Sequence, residues 1–148
     1  MIISKTPYRI SFFGGGTDYP VWYKKHGGSV LSTTIDKYIY ISCRSLPSFF
    51  KHKYRIVWSH IETVQKIDQI KHEVVKKMLK KYKIRNGLEI HYDGDLPARS
   101  GMGSSSVFCV GLMNLLSNFQ GKIIKKKQLA EKSIHFEQKV LRQIVGSQ

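Results

Sequence analysis

One stretch limits what this chain can become: Leu96-Pro97-Ala98-Arg99-Ser100-Gly101-Met102-Gly103-Ser104-Ser105-Ser106, set between an alternating segment and an apolar run. Before it, Leu88, Ile90 and Tyr92 alternate with Glu89 and His91, the period of a half-buried strand. After it, Phe108, Leu112, Leu115, Leu116 and Phe119 recur at helical spacing, and Gly121 stands where a helix C-terminus belongs. The order is strand, Gly/Ser loop, helix. The first turn of a helix leaves its N–H groups unpaired and carries the positive end of the macrodipole, so anions bind there. Gly101 and Gly103 let the backbone approach a ligand, and the three following hydroxyls suit phosphate oxygens or a hydrated Mg²⁺. A phosphate cradle is the expectation; the plainer alternative is a turn that only caps the helix at Ser104 or Ser105.

Two familiar cradles do not fit. The P-loop pattern needs a Lys directly after its second Gly, and no Lys follows a glycine in this stretch. The dinucleotide fingerprint needs Gly at position 106, where the chain has Ser, and an acid well after the loop, whereas Asp93 and Asp95 precede it.

The chain has 148 residues, 41% of them hydrophobic, which suits one soluble domain with a modest core. The start, Met1-Ile2-Ile3-Ser4-Lys5, has no apolar signal region, and no membrane span is present, so a cytoplasmic location is expected. Cys43 and Cys109 are too few for a disulfide scaffold and read as reduced, structural residues. No two of the six His fall at metal-binding helical spacing.

The net charge of +15 raises the question of a nucleic-acid partner. Lys71, Lys76, Lys77, Lys80, Lys81, Lys83 and Arg85 crowd one segment, where Ile67, Ile70, Val74, Val75, Met78, Leu79 and Tyr82 mark the apolar stripe of a helix. Without a reading motif beside them, these lysines read as a solvated face that favours anionic small molecules, and nucleic acid is not the expected partner.

Arg9 to Phe13 alternates as a strand and runs into Gly14-Gly15-Gly16-Thr17-Asp18, a turn in which Asp18 offers acceptors to ligand hydroxyls. Ser29 to Ser45 reads as one long bent strand or two paired strands, and Tyr54 to Trp58 as another. Tyr38, Tyr40 and Trp58 sit at strand spacing and read as sheet packing. Ser45 to Lys53 reads as a loop, and Glu62 to Gln69 leads into the basic helix. From Gln128 to Ile144, Leu129, Ala130, Ile134, Phe136, Val140, Leu141 and Ile144 form a helical apolar arc, and Glu137 falls inside it. A carboxylate there must be paired, hydrogen-bonded or metal-bound. Next to a phosphate cradle a Mg²⁺ ligand is the better reading, with a structural ion pair as the alternative.

Pro97 to Ser106 resembles the phosphate-binding motif of the GHMP kinases, usually Pro, three residues, Gly-Leu-Gly-Ser-Ser; Met102 replaces the Leu and Arg99 is bulkier than usual. Ser4 to Asp18 resembles the first motif of the family, in the form of its branch that phosphorylates D-glycero-D-manno-heptose 7-phosphate. Val145-Gly146-Ser147-Gln148 resembles the start of a Val-Gly-Lys-Gln-Asp-Gln segment whose Asp is the presumed base.

The resemblance implies an α+β fold of a two-layer sheet and helices, like domain 2 of ribosomal protein S5. It implies a sugar kinase transferring the ATP γ-phosphate to the anomeric hydroxyl of a sugar phosphate. In it, Pro97, Ser100, Gly101, Met102, Gly103, Ser104, Ser105 and Ser106 hold the ATP phosphates. Ser105 and Glu137 hold Mg²⁺, with Ser104 the alternative hydroxyl. Gly15, Gly16, Thr17 and Asp18 bind the sugar, and Arg9 assists the reacting hydroxyl. It also implies that residues 1–148 are the N-terminal ATP-binding domain only, without the presumed catalytic Asp and the C-terminal domain, and inactive alone. A basic RNA-binding domain of S5-like fold, another small-molecule kinase of the family and a fragment without stable fold are the rival expectations.

Overall fold

A computed structural model describes residues 1–97 and 100–147. Five strands form one mixed sheet in the order β1-β2-β5-β3-β4, from β1 (Ile2–Phe13), β2 (Leu31–Ser45), β3 (Tyr54–Val57), β4 (Ile61–Val64) and β5 (Leu88–Gly94). The β3–β5 pair is parallel and the other three pairs are antiparallel. The helices are α1 (Pro20–His26), α2 (Glu73–Lys81), α3 (Ser104–Phe119) and α4 (Lys126–His135), with a π turn over Phe136–Val140. This is the expected α+β class.

Alternation places Leu88, Ile90, Ile39, Ile41 and Cys43 on one face of the sheet, all buried, and α3 covers that face across β1 and β2. Gly111 makes the close approach possible: a Cβ there would stand 2.8 Å from Thr6 Oγ1. Both cysteines are free and buried in this core, and burial pushes their thiols up to about 11 for Cys43 and about 12 for Cys109. On the opposite face Arg44, Glu89 and Arg55 stand in register across β2, β5 and β3. Burial alone would raise the Glu89 carboxyl. Hydrogen bonds from His91, Arg55 and Arg44 more than offset that and hold it at about 2.

Several sequence expectations change in detail. Residues 31–45 form one strand, and the opening strand begins at Ile2 rather than Arg9. The basic helix is shorter than its apolar stripe: Ile61–Val64 is a strand, Ile67–Gln69 a 3-10 turn, and α2 begins only at Glu73. Glu62 explains the break, because its carboxylate accepts from the Lys71 and His72 N–H groups, at 2.5 and 3.1 Å, and fixes the chain just before the helix. The last helix also stops early, and Ile144, placed in the apolar arc by its spacing, is 86% exposed.

Candidate active site at the N-terminus of helix α3

The loop after β5 is anchored from below. Tyr8, fully buried, donates its hydroxyl to the Leu96 carbonyl at 3.1 Å, and Asp95 bridges to Tyr38, its carboxylate accepting from the Tyr38 N–H at 2.8 Å. Pro97 is exposed; Ala98 and Arg99 of the motif lie outside the described residues, as does Gln148. Gly101 and Gly103 take φ of 77° and 71°, the left-handed region that costs a side-chain-bearing residue about 1–2 kcal/mol. That conformation turns the chain directly into α3.

The helix begins at Ser104 with Gly103 before it, so neither Ser104 nor Ser105 is the cap residue. The first intrahelical bond runs from Val107 N–H to the Gly103 carbonyl at 3.0 Å. The N–H groups of Ser104, Ser105 and Ser106 therefore remain unspent among the described residues. Ser100 adds a buried hydroxyl with no hydrogen-bond partner there. This is the arrangement an anion requires.

Three further groups meet at this point. The Arg9 guanidinium from β1 lies against Gly103, where an added Cβ would come within 3.3 Å of its Cζ. Glu137, only 3% exposed, accepts a hydrogen bond from Ser106 Oγ at 3.0 Å. Burial raises its pKa, while the Ser106 hydroxyl and the charge of Arg9 pull it back down. Ser105, expected beside Glu137, is exposed; the hydroxyl in direct contact with the carboxylate belongs to Ser106.

Glu137 reaches this position through the π turn, in which Leu141 N–H bonds the Phe136 carbonyl at 2.9 Å. The wider turn lets two consecutive residues, Phe136 and Glu137, both face inward. Lys77 of α2 fastens it by donating to the Val140 carbonyl at 3.1 Å.

The glycine-rich turn after β1 forms a second cluster. The Asp18 carboxylate accepts from Gly16 N–H through Oδ1 at 3.0 Å, while its Oδ2 is buried without a partner. Thr17 closes the turn by donating its hydroxyl to the Gly14 carbonyl at 2.7 Å. Both residues line a cavity of about 500 Å³ that Ser147 also reaches. Gly15, between them and the strand, has open space where a Cβ would stand.

The two clusters are tied by a residue the sequence reading passed over. Gln138, next to Glu137, donates to the Val145 carbonyl at 3.2 Å and to Ser147 Oγ at 3.3 Å. Ser147 N–H in turn donates to the Asp18 carbonyl at 3.2 Å. Nothing in the spacing of Gln138 signals this contact.

Among the described residues no group of three or more His, Cys, Asp or Glu is arranged to hold a metal ion. Among the described residues, Glu137 is the one carboxylate in hydrogen-bond contact with the first turn of α3. No helix among the described residues is long and apolar enough to cross a membrane.

Comparison with known proteins agrees with the motif. The family described as GHMP kinases N terminal domain matches residues 68–147. The D-glycero-alpha-D-manno-heptose 7-phosphate kinase of Campylobacter jejuni is 24% identical over 161 residues, covering 99% of this chain and 46% of that protein. A crystal structure of a D-glycero-D-manno-heptose 1-phosphate kinase from Bacteriodes thetaiotaomicron superposes with a TM-score of 0.84 at 21% identity, over 99% of this chain and 51% of that one. The galactokinase of Lactococcus lactis, complexed with galactose, gives a TM-score of 0.72 at 19% identity over 98% of this chain and 40% of that one. The chain thus spans about half the length of these relatives. With the family matched over more than half of its residues and the fold shared along its length, the chain belongs to the GHMP kinases and carries their N-terminal domain.

Proposed function

We propose that the chain is the nucleotide-holding part of an ATP-dependent sugar kinase. Its reaction would pass the ATP γ-phosphoryl group to the anomeric hydroxyl of a sugar phosphate, with D-glycero-D-manno-heptose 7-phosphate the first candidate acceptor. The observation that carries this reading is the meeting of Arg9, Gly103, Ser106 and Glu137 at a helix start whose N–H groups are unspent.

The residues present fit MgATP. A buried carboxylate with one hydroxyl partner and a raised pKa favours a cation beside it, and the unspent N–H groups and the Ser100 hydroxyl favour phosphate oxygens. In this proposal the loop from Pro97 to Ser106 holds the phosphates, with Ser100, Gly101, Met102, Gly103 and Ser104 forming its floor. Glu137 and Ser105 hold Mg²⁺, and Ser106 orients Glu137. Bound there, Mg²⁺ would offset the negative charge that builds up during phosphoryl transfer.

Arg9 stands beside the cradle and would stabilise the attacking oxygen as it gives up its proton. Asp18, through its unpartnered Oδ2, would accept hydrogen bonds from sugar hydroxyls, with Gly15, Gly16 and Thr17 shaping the turn around them. Positioning and electrostatics supply most of the rate in such transfers, and a net charge of +15 favours two anionic substrates. Because the chain spans half of its relatives, only this half of the machinery is proposed here.

Thermal unfolding with MgATP, Mg²⁺ alone and ATP alone tests the reading. A ligand that prefers the folded state raises the midpoint by mass action, and the expected result is a rise with MgATP well above either control. A cooperative transition unmoved by MgATP overturns the proposal. Salt-sensitive RNA binding under those conditions would then favour the RNA-binding rival.

A further inference from the structure

A separate cavity of about 320 Å³ opens at the other end of the sheet, lined in part by Phe50, His52, Lys53, Gln65, Arg85 and Asn86. It lies where the end of β2 meets the starts of β3 and β5. Leu46 N–H bonds the Gly87 carbonyl at 2.9 Å, and Leu88 N–H bonds the Lys53 carbonyl at 3.0 Å. Gly87 permits this closure, since a Cβ there would stand 2.8 Å from the Leu46 carbonyl oxygen. The floor is thus pinned by backbone. The seven residues of β5 separate it from the Gly101–Ser106 loop, roughly 20 Å at the rise of an extended chain.

The lining is one-sided in charge. Lys53 and Arg85 both border the cavity, no Asp or Glu does, and neither cation has an acidic partner among the described residues. His52 Nε2 is shut off from solvent and has no hydrogen-bond partner there. Buried polar atoms are seldom left in that state, because the lost hydrogen bond to water is not replaced. Asn86 adds an amide group at the wall, Gln65 is held there by donating its Nε2–H to the Lys51 carbonyl, and Phe50, in ring contact with His52 at 5.7 Å, adds an apolar side.

Two unpaired cations, the Asn86 amide and an orphaned imidazole nitrogen together call for an oxyanion. We propose that this cavity binds a phosphate group, as inorganic phosphate or as part of a small phosphorylated metabolite. In the bound state the His52 ring turns to bring its Nε2–H into the cavity, where it donates to a phosphate oxygen, and Arg85 and Lys53 neutralise its charge. The site shares no residue with the candidate active site and does not depend on the kinase proposal.

The ring nitrogens of His52 report on it directly by NMR. The full chain would be titrated with inorganic phosphate, and separately with glucose 6-phosphate, each against chloride at matched ionic strength. The expected result is a saturable shift of the His52 ring signals with phosphate and none with chloride. Arg85→Gln, at an exposed position, should weaken the saturation about tenfold, the value of one charge-assisted hydrogen bond, and Lys53→Gln serves as a second variant. Tighter saturation by glucose 6-phosphate identifies a phosphorylated metabolite as the source, and equal or weaker saturation identifies free phosphate; either supports the site. A shift that matches chloride, never saturates, or is unchanged in both variants overturns it.

Discussion

Replacing Glu137 with Gln separates the two readings of the buried acid, because glutamine keeps the shape and still accepts from Ser106 Oγ but carries no charge. Without ligand the carboxylate gains little from being charged: burial raises its pKa, against only a hydroxyl and the nearby Arg9. The unliganded variant should therefore unfold within about 1 kcal/mol of the parent. The effect of MgATP should be different. At a hundredfold excess over Kd, binding stabilises the parent by about 2.7 kcal/mol. At about 3 °C per kcal/mol for a chain of this size, that raises the midpoint by about 8 °C. Loss of a charged Mg²⁺ ligand worth about 2 kcal/mol weakens binding roughly thirtyfold. The same nucleotide concentration is then only about three times Kd, and the rise falls to about 2–3 °C. Differential scanning calorimetry of both proteins, with and without MgATP, measures all four midpoints. An unliganded variant destabilised by about 3–5 kcal/mol with its MgATP response intact would refute the metal reading and establish a structural ion pair with Arg9.

Other perturbations follow from single contacts. Gly111→Leu should cost at least about 2 kcal/mol in urea unfolding, because even its Cβ meets Thr6 Oγ1 at 2.8 Å and separates α3 from β1. Gly103→Ala introduces a Cβ 3.3 Å from the Arg9 guanidinium at a φ of 71°, and should cost about 1–2 kcal/mol while reducing the MgATP shift. Gly146→Ala would put a Cβ 1.7 Å from Asp18 Oδ2, so hydrogen exchange should show Ser147 N–H losing its protection while the sheet keeps its own. For Glu89 the folded pKa is lowered from 4.5 to about 2, so its contribution to stability is complete above about pH 4.5 and is lost as pH falls through about 2. Stability of Glu89→Gln should therefore vary less with pH across that window than the parent's, as acid titration followed by circular dichroism would show.

Local signals accounted for much of the molecule. Periodicity in Leu88 to Tyr92 and in Phe108 to Phe119, with Gly121 as the stop, located β5 and α3, because alternation and helical spacing are written in adjacent residues. The Gly/Ser loop between them was legible for the same reason. Spacing failed where a long-range contact overrode it. Glu62 ends the stripe that Ile67 and Ile70 extend, by bonding backbone N–H groups nine and ten residues ahead. The π turn at Phe136–Val140 breaks the 3.6-residue period on which the last apolar arc was drawn, leaving Ile144 in solvent.

The sequence by itself determined β5, α3, the Gly/Ser loop between them and the need for Glu137 to find a partner, since each follows from neighbouring residues and the cost of burying a charge. Only the tertiary structure decided who those partners are. Arg9 lies ninety-four residues before Gly103, and Ser106 thirty-one before Glu137; such pairs carry no common period and meet only because β1 and α4, which leads into the π turn, both pack against α3. The choice of Ser106 over Ser105 has the same origin. On one helix turn three adjacent hydroxyls point in three directions about 100° apart, and the packing of the helix on the sheet decides which one faces the acid.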